Sequence, residues 1–395
     1  MDPRTLMTRP TVAVLYKYVP QYRRRFFELL RDRLTERDVD FVLVYGDPRP
    51  EDVGKGDAVE LPWGTKVPNV TITVAGRTLY WQRALKVLHG ADLVIVEQAS
   101  KLLINYALLA LQTAGRTRLA LWGHGVNLKQ EEASRLGEAL KRAVSRRAAW
   151  WFAYTDATAA LVRGFGYPAE RITVVQNAID TRELTAGRER LTTTETGREE
   201  VAALRRRLGL FGHNVGLFVG AMYEQKRLPF LLEACVRIRE LVPDFEMVFV
   251  GGGPDKPLVE RAAAAHPWIR AVGPVFDEAR VPYFLLADLV LMPGLVGLGI
   301  LDCFALEVPM VTTAVHYHSP EIAYLDDGVN GMMLSAACSP AQFAEAAAAL
   351  LHDAERAERL RAGCRQARSR YTVEEMVERF ADGVTKALDV QGLAQ

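Results

Sequence analysis

The chain has 395 residues, 49% of them hydrophobic, which is too much apolar material for one typical core and fits two domains of ordinary size. Its 49 basic side chains nearly cancel 48 acidic ones, so no bulk field favours nucleic acid, and any phosphate or membrane contact must come from local clusters. The cysteines lack CxxC spacing, so we expect neither a disulfide framework nor a zinc site. The N-terminal apolar stretch is too short for a secretion signal and no run approaches a membrane span, so we expect a cytoplasmic or membrane-peripheral protein.

Short apolar runs alternate with helical patterns in the first half of the chain, which is typical of parallel βαβ units. We therefore predict an α/β, Rossmann-like N-terminal domain over residues 1–180. Its strands are predicted at residues 11–15, 41–45, 93–96, 119–122 and 172–175.

This half contains two basic clusters. The first begins a helix after Pro20 with Tyr22, Arg23, Arg24 and Arg25, which either hold an acidic or phosphorylated acceptor or form a solvated helix face. The second lies on a helix predicted at residues 134–147 and leads into two tryptophans. Such a surface can attach a protein to an anionic membrane, although the tryptophans could equally begin a buried strand. Its members are Arg135, Lys141, Arg142, Arg146, Arg147, Trp150 and Trp151.

His124 directly follows the strand predicted at residues 119–122 and precedes Gly125. The C-terminal ends of strands in α/β domains face the ligand, where a histidine can donate to a ligand hydroxyl or a developing charge. A histidine hydrogen-bonded within its own loop is the alternative.

The apolar strand signal stops between residues 181 and 210, where a polar run precedes one charged helix, and we predict a linker over residues 181–212. A second alternating series then predicts another Rossmann-like domain over residues 213–370, followed by a helix at 373–388 with Thr372 as its cap. The strands of this series are predicted at residues 215–219, 247–250, 269–272, 289–292 and 310–312.

The segment from 288 to 331 is the most informative, because a buried strand is followed by a glycine turn, a helix and a second strand. Gly297 and Gly299 would let backbone N–H groups approach phosphate at the start of a helix predicted at 300–306. Asp302 would lie in its first turn, where a carboxylate can accept hydrogen bonds from both hydroxyls of a ribose. This order of elements predicts a nucleotide-sugar site.

Within that segment, GLVGLGILDCFALEVPMV at residues 294–311 resembles the signature of the retaining GT-B glycosyltransferases of family 4, roughly EGFGLVLLEAMACGLPVV. The resemblance implies an α/β GT-B fold, in which two Rossmann-like domains face each other across a crevice and the helix at 371–395 returns to the N-terminal domain. Gly294 stands where the signature has its first glutamate. The matching residues are Gly297, Leu301, Asp302, Ala305 and Pro309.

The resemblance also implies a phosphate-binding lysine. Lys226 aligns with the lysine of the family segment GRLxxxKG and could neutralise a diphosphate leaving group without a metal, whereas the arginine of that segment is Ala221 here. Arg227 is the nearest candidate to replace this arginine. Adjacent residues on a helix point about 100° apart, however, so Arg227 would point away from Lys226. The alternative is that Lys226 is a solvated residue of the helix start.

Further donor contacts follow from the family order. The glycine cluster at residues 251–253 is weak evidence for a donor contact, since it could be only a tight strand exit. The strand and glycine that follow it match the order of elements in the family, which implies that Gly273 and Val275 contact the nucleotide base. Amides from Gly297 to Gly299 would contact phosphate. The predicted donor-binding set is Gly220, Lys226, Gly273, Val275, Gly297, Leu298, Gly299 and Asp302.

Glu321 matches the glutamate of the family loop GGxPEV, which lies near the donor sugar, and completes a predicted catalytic set with His124 and Lys226. His316, Tyr317 and His318 replace the small residues of that loop. Two histidines at this spacing could suggest a metal, but no third ligand accompanies them, so loop packing or sugar contact is favoured. We expect the bulky loop to restrict the choice of donor.

The resemblance thus implies a metal-independent, retaining glycosyltransferase without a cofactor. It would move a sugar from a nucleotide diphosphate donor to a hydroxyl acceptor, lipid-linked or soluble, of a cell-surface polysaccharide precursor or a natural product. Gly294 implies another group in place of the glutamate or a donor that lacks the usual hydroxyl, such as a deoxysugar. A degenerate nucleotide-sugar-binding protein and a GT-B epimerase are the alternatives, and the absence of GxGxxG after the first strand disfavours a nicotinamide oxidoreductase.

Overall fold

The computed structural model describes residues 9–48, 57–74, 77–125 and 144–389. They form two compact units, one from Met1–Ile179 with Val373–Gln395 and the other from Asp180–Thr372. Each unit contains a parallel sheet flanked by helices, which confirms the predicted pair of Rossmann-like halves. None of the helices in the described ranges has the length and apolar character needed to span a membrane.

The first unit is built on a parallel sheet in the order β3-β2-β1-β6-β7-β8-β9, and all five strands predicted in this half belong to it. Its helices include Arg24–Glu36, Ile104–Thr113 and Asp156–Gly164. Two further strands, β4 (Asn69–Val74) and β5 (Arg77–Gln82), form a separate antiparallel hairpin. The strands of the parallel sheet are β1 (Thr11–Tyr16), β2 (Asp40–Tyr45), β3 (Thr65–Lys66), β6 (Leu93–Glu97), β7 (Arg118–Gly123), β8 (Trp150–Ala153) and β9 (Ile172–Val174).

The last helix, Val373–Asp389, packs within the first unit. Phe380 stacks on Phe152 of β8 with ring centroids 4.3 Å apart. Gly383 permits this approach, because a Cβ there would lie 2.6 Å from the Phe152 ring. The sequence had left open whether the tryptophans of β8 contact a membrane, and the structure buries both Trp150 and Trp151 in the sheet.

The second unit has a parallel sheet in the order β12-β11-β10-β13-β14-β15, which contains all five strands predicted in this half. Every residue of β11, β13 and β14 is buried, and the fourth inner strand, β10, is buried except at its two ends, as expected for a sheet covered on both faces. Its strands are β10 (Asn214–Val219), β11 (Phe245–Val250), β12 (Ile269–Gly273), β13 (Leu289–Met292), β14 (Met310–Thr313) and β15 (Gly331–Leu334). Its helices include Leu228–Leu241, Lys256–Ala265, Val281–Leu286, Gly299–Leu306, Pro340–His352 and Ala354–Arg370.

The segment predicted as a linker, residues 181–212, is instead mostly two helices of the second unit, Arg182–Thr193 and Glu195–Leu208. Leucines at helical spacing bury their side chains here, including Leu184, Leu191 and Leu204. The surrounding charged residues hid this pattern in the sequence. Because these helices belong to the second unit, the boundary between the two units falls at residues 179–180 rather than near 212.

A buried carboxylate anchors the first of these helices. Glu307 caps the C-terminus of Gly299–Leu306 and forms ion pairs with Arg188 at 2.8 Å, Arg365 at 3.0 Å and Arg368 at 3.1 Å. The side chain of Glu307 is only 5% exposed, so these guanidinium groups must compensate its lost hydration.

We predict that Glu307→Gln destabilises the protein by about 3 kcal/mol, because it leaves three partly buried arginines without their shared carboxylate. The control is Glu355→Gln, which removes the ion pair between the 87% exposed Glu355 side chain and Arg359 and should cost less than about 1 kcal/mol. Thermal denaturation followed by circular dichroism compares the two variants. Equal melting temperatures would contradict a structural role for the buried cluster.

Candidate functional site

The candidate site lies at the C-terminal edge of the second unit's sheet, where the loop after β13 passes through Gly294 into the helix Gly299–Leu306. This loop is fixed by hydrogen bonds to the end of β14 and the segment after it. The Thr313 hydroxyl donates to the Pro293 carbonyl at 2.6 Å, and the Ser319 amide donates to the Val296 carbonyl at 2.9 Å. Ligand-binding loops of open α/β sheets lie at this edge.

His318 clamps the loop from both ring nitrogens. Its Nδ1 accepts from the Val296 amide at 2.9 Å, so the proton resides on Nε2, which donates to the Thr313 carbonyl at 2.6 Å. Burial lowers the pKa of His318, in keeping with a neutral ring. His318 therefore packs the loop, while His316 is exposed. Within the described ranges, no group of three or more His, Cys, Asp and Glu side chains is arranged to hold a metal ion.

Lys226 lies in the short 3-10 helix Glu224–Lys226, just before the helix Leu228–Leu241. Its side chain is not solvated: the residue is 8% exposed, and Nζ donates to the Leu295 carbonyl. Burial lowers the pKa of Lys226 to about 8. An ammonium has three donors, and this hydrogen bond uses one of them.

Gly294 is the point where the chain departs from the family signature, and the structure gives a steric reason. A Cβ at residue 294 would lie 2.2 Å from the Gln225 carbonyl oxygen and 2.6 Å from the Lys226 Cα. The Leu295 amide also donates to the Gln225 carbonyl at 2.7 Å. The turn carrying Lys226 is thus docked on the loop backbone, and no glutamate side chain fits at residue 294 without displacing it.

Asp302 lies in the first turn of Gly299–Leu306, as predicted, and forms an ion pair with Arg280 at 3.0 Å. Burial raises the pKa of Asp302 to about 6, and Arg280 opposes this shift. Only one carboxylate oxygen is engaged, because the buried Oδ1 has no hydrogen-bond partner among the described residues. The sequence offered no motif that would identify Arg280, which lies in the 3-10 helix Asp277–Arg280 after β12.

The glycines of the predicted donor set and the glycine cluster at residues 251–253 occupy different environments. Gly220, Gly273 and Gly299 have no atom within 4 Å of an added Cβ; Gly299 is exposed and Gly220 is half-buried, whereas Gly273 is buried. Gly251 instead makes a tight strand exit, since its Cβ would lie 1.9 Å from the Gly220 carbonyl oxygen. Gly297 faces the Ser319 hydroxyl, at 3.2 Å from an added Cβ.

Val275 is half-buried and belongs to a cleft of about 450 Å³ in the second unit. The cleft is also lined by Arg190, Arg207, Glu278 and Tyr283. Leu298 begins the helix Gly299–Leu306 at its N-cap. Val275 and Leu298 as donor contacts stay predictions.

Arg227 has the left-handed backbone conformation with φ of 55°, at the position where the family segment has glycine. Its guanidinium lies over the Phe230 ring at 4.3 Å and donates to the Thr313 hydroxyl at 3.1 Å. The Arg227 side chain therefore reaches the end of β14.

Glu321 is 3% exposed within the 3-10 helix Pro320–Tyr324.

In the first unit, His124 follows β7, is half-buried and has its ring centroid 4.4 Å from that of Tyr154. The basic cluster of Tyr22, Arg23, Arg24 and Arg25 is divided. Arg23 is 1% exposed, donates to the Asn177 side chain and lies 5.1 Å from the Trp122 ring, so it is not part of a solvated face, whereas Arg24 is exposed.

The second basic cluster lies partly outside the described residues, since Arg135, Lys141 and Arg142 fall in the range 126–143. Arg146 and Arg147 are exposed at the end of a helical stretch. Membrane attachment through this cluster stays a prediction.

Models of glycosyltransferase families match a segment in each half of the chain. Residues 213–353 match the family model described as Glycosyl transferases group 1, and residues 24–183 match Glycosyltransferase Family 4. The chain is 27% identical over 144 residues to the alpha-monoglucosyldiacylglycerol synthase of Acholeplasma laidlawii and 28% identical over 165 residues to the alpha-D-kanosaminyltransferase of Streptomyces kanamyceticus. These matches span 35% and 40% of this chain, and 35% and 42% of the two relatives.

Solved structures with the same fold include HepE of Anabaena in complex with UDP, with a TM-score of 0.67 at 15% identity over 95% of this chain and 99% of that one. WaaG, a glycosyltransferase involved in lipopolysaccharide biosynthesis, has a TM-score of 0.60 at 15% identity over 94% of this chain and 98% of its own. At these identities the likeness concerns the fold, which is GT-B.

We predict that Gly294→Ala costs about 2 kcal/mol of stability, because the new Cβ pushes the Gln225–Lys226 backbone away from the loop. Gly299→Ala is the matched control. Its Cβ meets open space at the start of a helix and should change stability by less than about 0.5 kcal/mol. Melting temperatures of the two variants without added nucleotide test this, and a fully stable Gly294→Ala protein would contradict the docked turn.

Proposed function

Since the chain belongs to the GT-B glycosyltransferases, with family models matching in both of its halves, we propose that it transfers a sugar from a nucleotide diphosphate donor to a hydroxyl acceptor with retention of configuration. The observation that carries the proposal is the juxtaposition of Lys226 with the glycine loop that leads to Asp302. The HepE complexes with UDP and UDP-glucose support a nucleotide-sugar donor.

In this proposal the second unit binds the nucleotide. Asp302 accepts hydrogen bonds from the ribose, Gly273 and Val275 contact the base, and the amides of Gly297, Leu298 and Gly299 contact phosphate at the helix start. The exposed Gly299 leaves room for such a backbone contact with phosphate.

The reaction breaks the bond between the anomeric carbon and the diphosphate oxygen and forms a bond from that carbon to the acceptor oxygen. The diphosphate leaves with the bonding electrons, and the proton of the acceptor hydroxyl is released to the departing diphosphate or to solvent. Lys226 stabilises the charge that develops on the diphosphate, so the proposal needs no metal. His124 and Glu321 are proposed to contact the sugar during transfer, and His124 is not proposed as a covalent nucleophile.

The acceptor is proposed to be a hydroxyl of a lipid, a polysaccharide precursor or a natural product. The first relative named above supports a lipid acceptor, since its name refers to a glucosylated diacylglycerol. A lipid acceptor would require peripheral contact with a membrane, and the exposed Arg146 and Arg147 could contribute to it.

The test begins with thermal stabilisation of the full chain by UDP, GDP, ADP and dTDP, since a ligand at about 100 times its Kd adds about 2.7 kcal/mol. The selected nucleotide's sugars are then incubated with candidate acceptors, with and without EDTA. Mass spectrometry detects the product, and NMR of its anomeric centre reports the configuration. Stabilisation by none of the nucleotides would overturn the proposed donor site.

A second candidate function, nucleotide-sugar binding without transfer, is motivated by the loss of the signature glutamate at Gly294 and by Ala221 in place of the family arginine. Slow hydrolysis of the donor would argue against it. Tight donor binding with neither hydrolysis nor transfer to any acceptor would favour it over the enzyme.

We predict that kcat/KM for the donor decreases as the pH rises above about 8, because the Lys226 ammonium then loses its proton. Lys226→Ala should lower kcat/KM at pH 7 by roughly 100-fold, the usual effect of removing a group that stabilises a developing anion. Lys226→Arg keeps a positive charge at all accessible pH values and should shift the alkaline decrease upward. An unchanged alkaline decrease in Lys226→Arg would show that another group titrates.

A further inference from the structure

The backbone that carries His124 is held by the side-chain amide of Gln98, the residue that follows β6. The Gly125 amide donates to Oε1 of Gln98 at 2.9 Å, and Nε2 of Gln98 donates to the Gly125 carbonyl at 3.3 Å. One side chain therefore satisfies both backbone groups of the residue after His124. Since a backbone N–H only donates and a carbonyl only accepts, these two bonds also fix which way the amide of Gln98 points.

Both glycines beside His124 are needed for this arrangement. A Cβ at residue 123 would lie 2.9 Å from the Cβ of Gln98, so glycine lets the two segments approach. Gly125 has φ of 78°, in the left-handed region, and a Cβ there would lie 2.9 Å from the Leu161 side chain. The backbone is thus confined on either side of His124.

A second support comes from the other neighbour of β7, which lies between β6 and β8 in the sheet. Tyr154 follows β8, its amide donates to the Gly123 carbonyl at 3.4 Å, and its ring packs against the His124 ring with centroids 4.4 Å apart. Gln98 therefore holds the backbone after the histidine, while Tyr154 contacts the backbone before it and the ring itself. Supports of this kind are what keep a reacting group within about 0.5 Å of its productive position.

We propose that Gln98 is a positioning residue for His124: its amide fixes the loop so that the imidazole meets the transferred sugar, and it affects the reaction through His124 alone. The inference rests on the proposed function, in which His124 contacts the sugar, and extends it to a residue that no sequence motif identifies. Without the amide, both backbone groups of Gly125 lose their partner and the loop is free to shift. A displacement of about 1 Å at a reacting group can cost about 100-fold in rate.

The test measures kcat for sugar transfer and Kd for the free nucleotide diphosphate in the full chain carrying Gln98→Ala. We expect kcat to fall by at least about tenfold. The Kd of UDP, GDP, ADP or dTDP, whichever binds the wild type, should change by less than about twofold, because the proposed nucleotide contacts belong to the second unit. An unchanged kcat would overturn the inference and leave the proposed function intact, whereas no transfer by the wild-type chain would overturn both.

Gln112→Ala is the matched control, because Gln112 holds the opposite end of β7 in the same way. Its Oε1 accepts from the Leu119 amide at 2.7 Å, and its Nε2 donates to the Arg147 carbonyl at 2.6 Å. We expect both variants to lower the melting temperature, but only Gln98→Ala to lower kcat. An equal loss of kcat in the two variants would show a general structural effect and overturn the inference.

A double-mutant cycle with His124→Ala assigns the effect to the histidine. If Gln98 acts through His124, Gln98→Ala lowers kcat by less than about twofold once the imidazole is absent, so the two losses do not multiply. Losses that multiply in the double variant would overturn the positioning role. An unchanged kcat in His124→Ala would overturn it as well, and would also remove His124 from the predicted catalytic set.

Discussion

The contact between the Gln225–Lys226 turn and the backbone of Gly294 and Leu295 determines most of the geometry at the candidate site. It requires glycine at residue 294, because a Cβ there would lie 2.2 Å from the Gln225 carbonyl oxygen. Once the turn is docked, the Lys226 amine is buried and donates to the Leu295 carbonyl. The same contact that removes space for a carboxylate at residue 294 thus fixes the position of the lysine.

Burial shifts the pKa values of Lys226 and Asp302 in opposite directions. It lowers the pKa of Lys226 to about 8 and raises that of Asp302 to about 6. Between these values the ammonium and the carboxylate are both charged. His318 stays neutral between Val296 and Thr313, so it holds the loop without adding charge.

The surrounding scaffold depends on a few close or buried contacts. In the second unit, Glu307 gathers three arginines and anchors the helix Arg182–Thr193. In the first unit, Gly383 brings the last helix onto β8 beside Phe152. Both contacts join segments that lie far apart in the chain, each within its own unit.

The sequence by itself determined the two parallel sheets, because apolar runs such as residues 289–292 can only be satisfied by burial on both faces. It also placed Asp302 in the first turn of its helix and identified the departure at Gly294. It could not show that residues 182–208 are helices of the second unit, since a few leucines among many charges give little periodic signal. Nor could it pair Arg280 with Asp302 or dock Lys226 on Leu295, because those partners are distant in sequence and no local pattern records a contact that only the folded backbone creates.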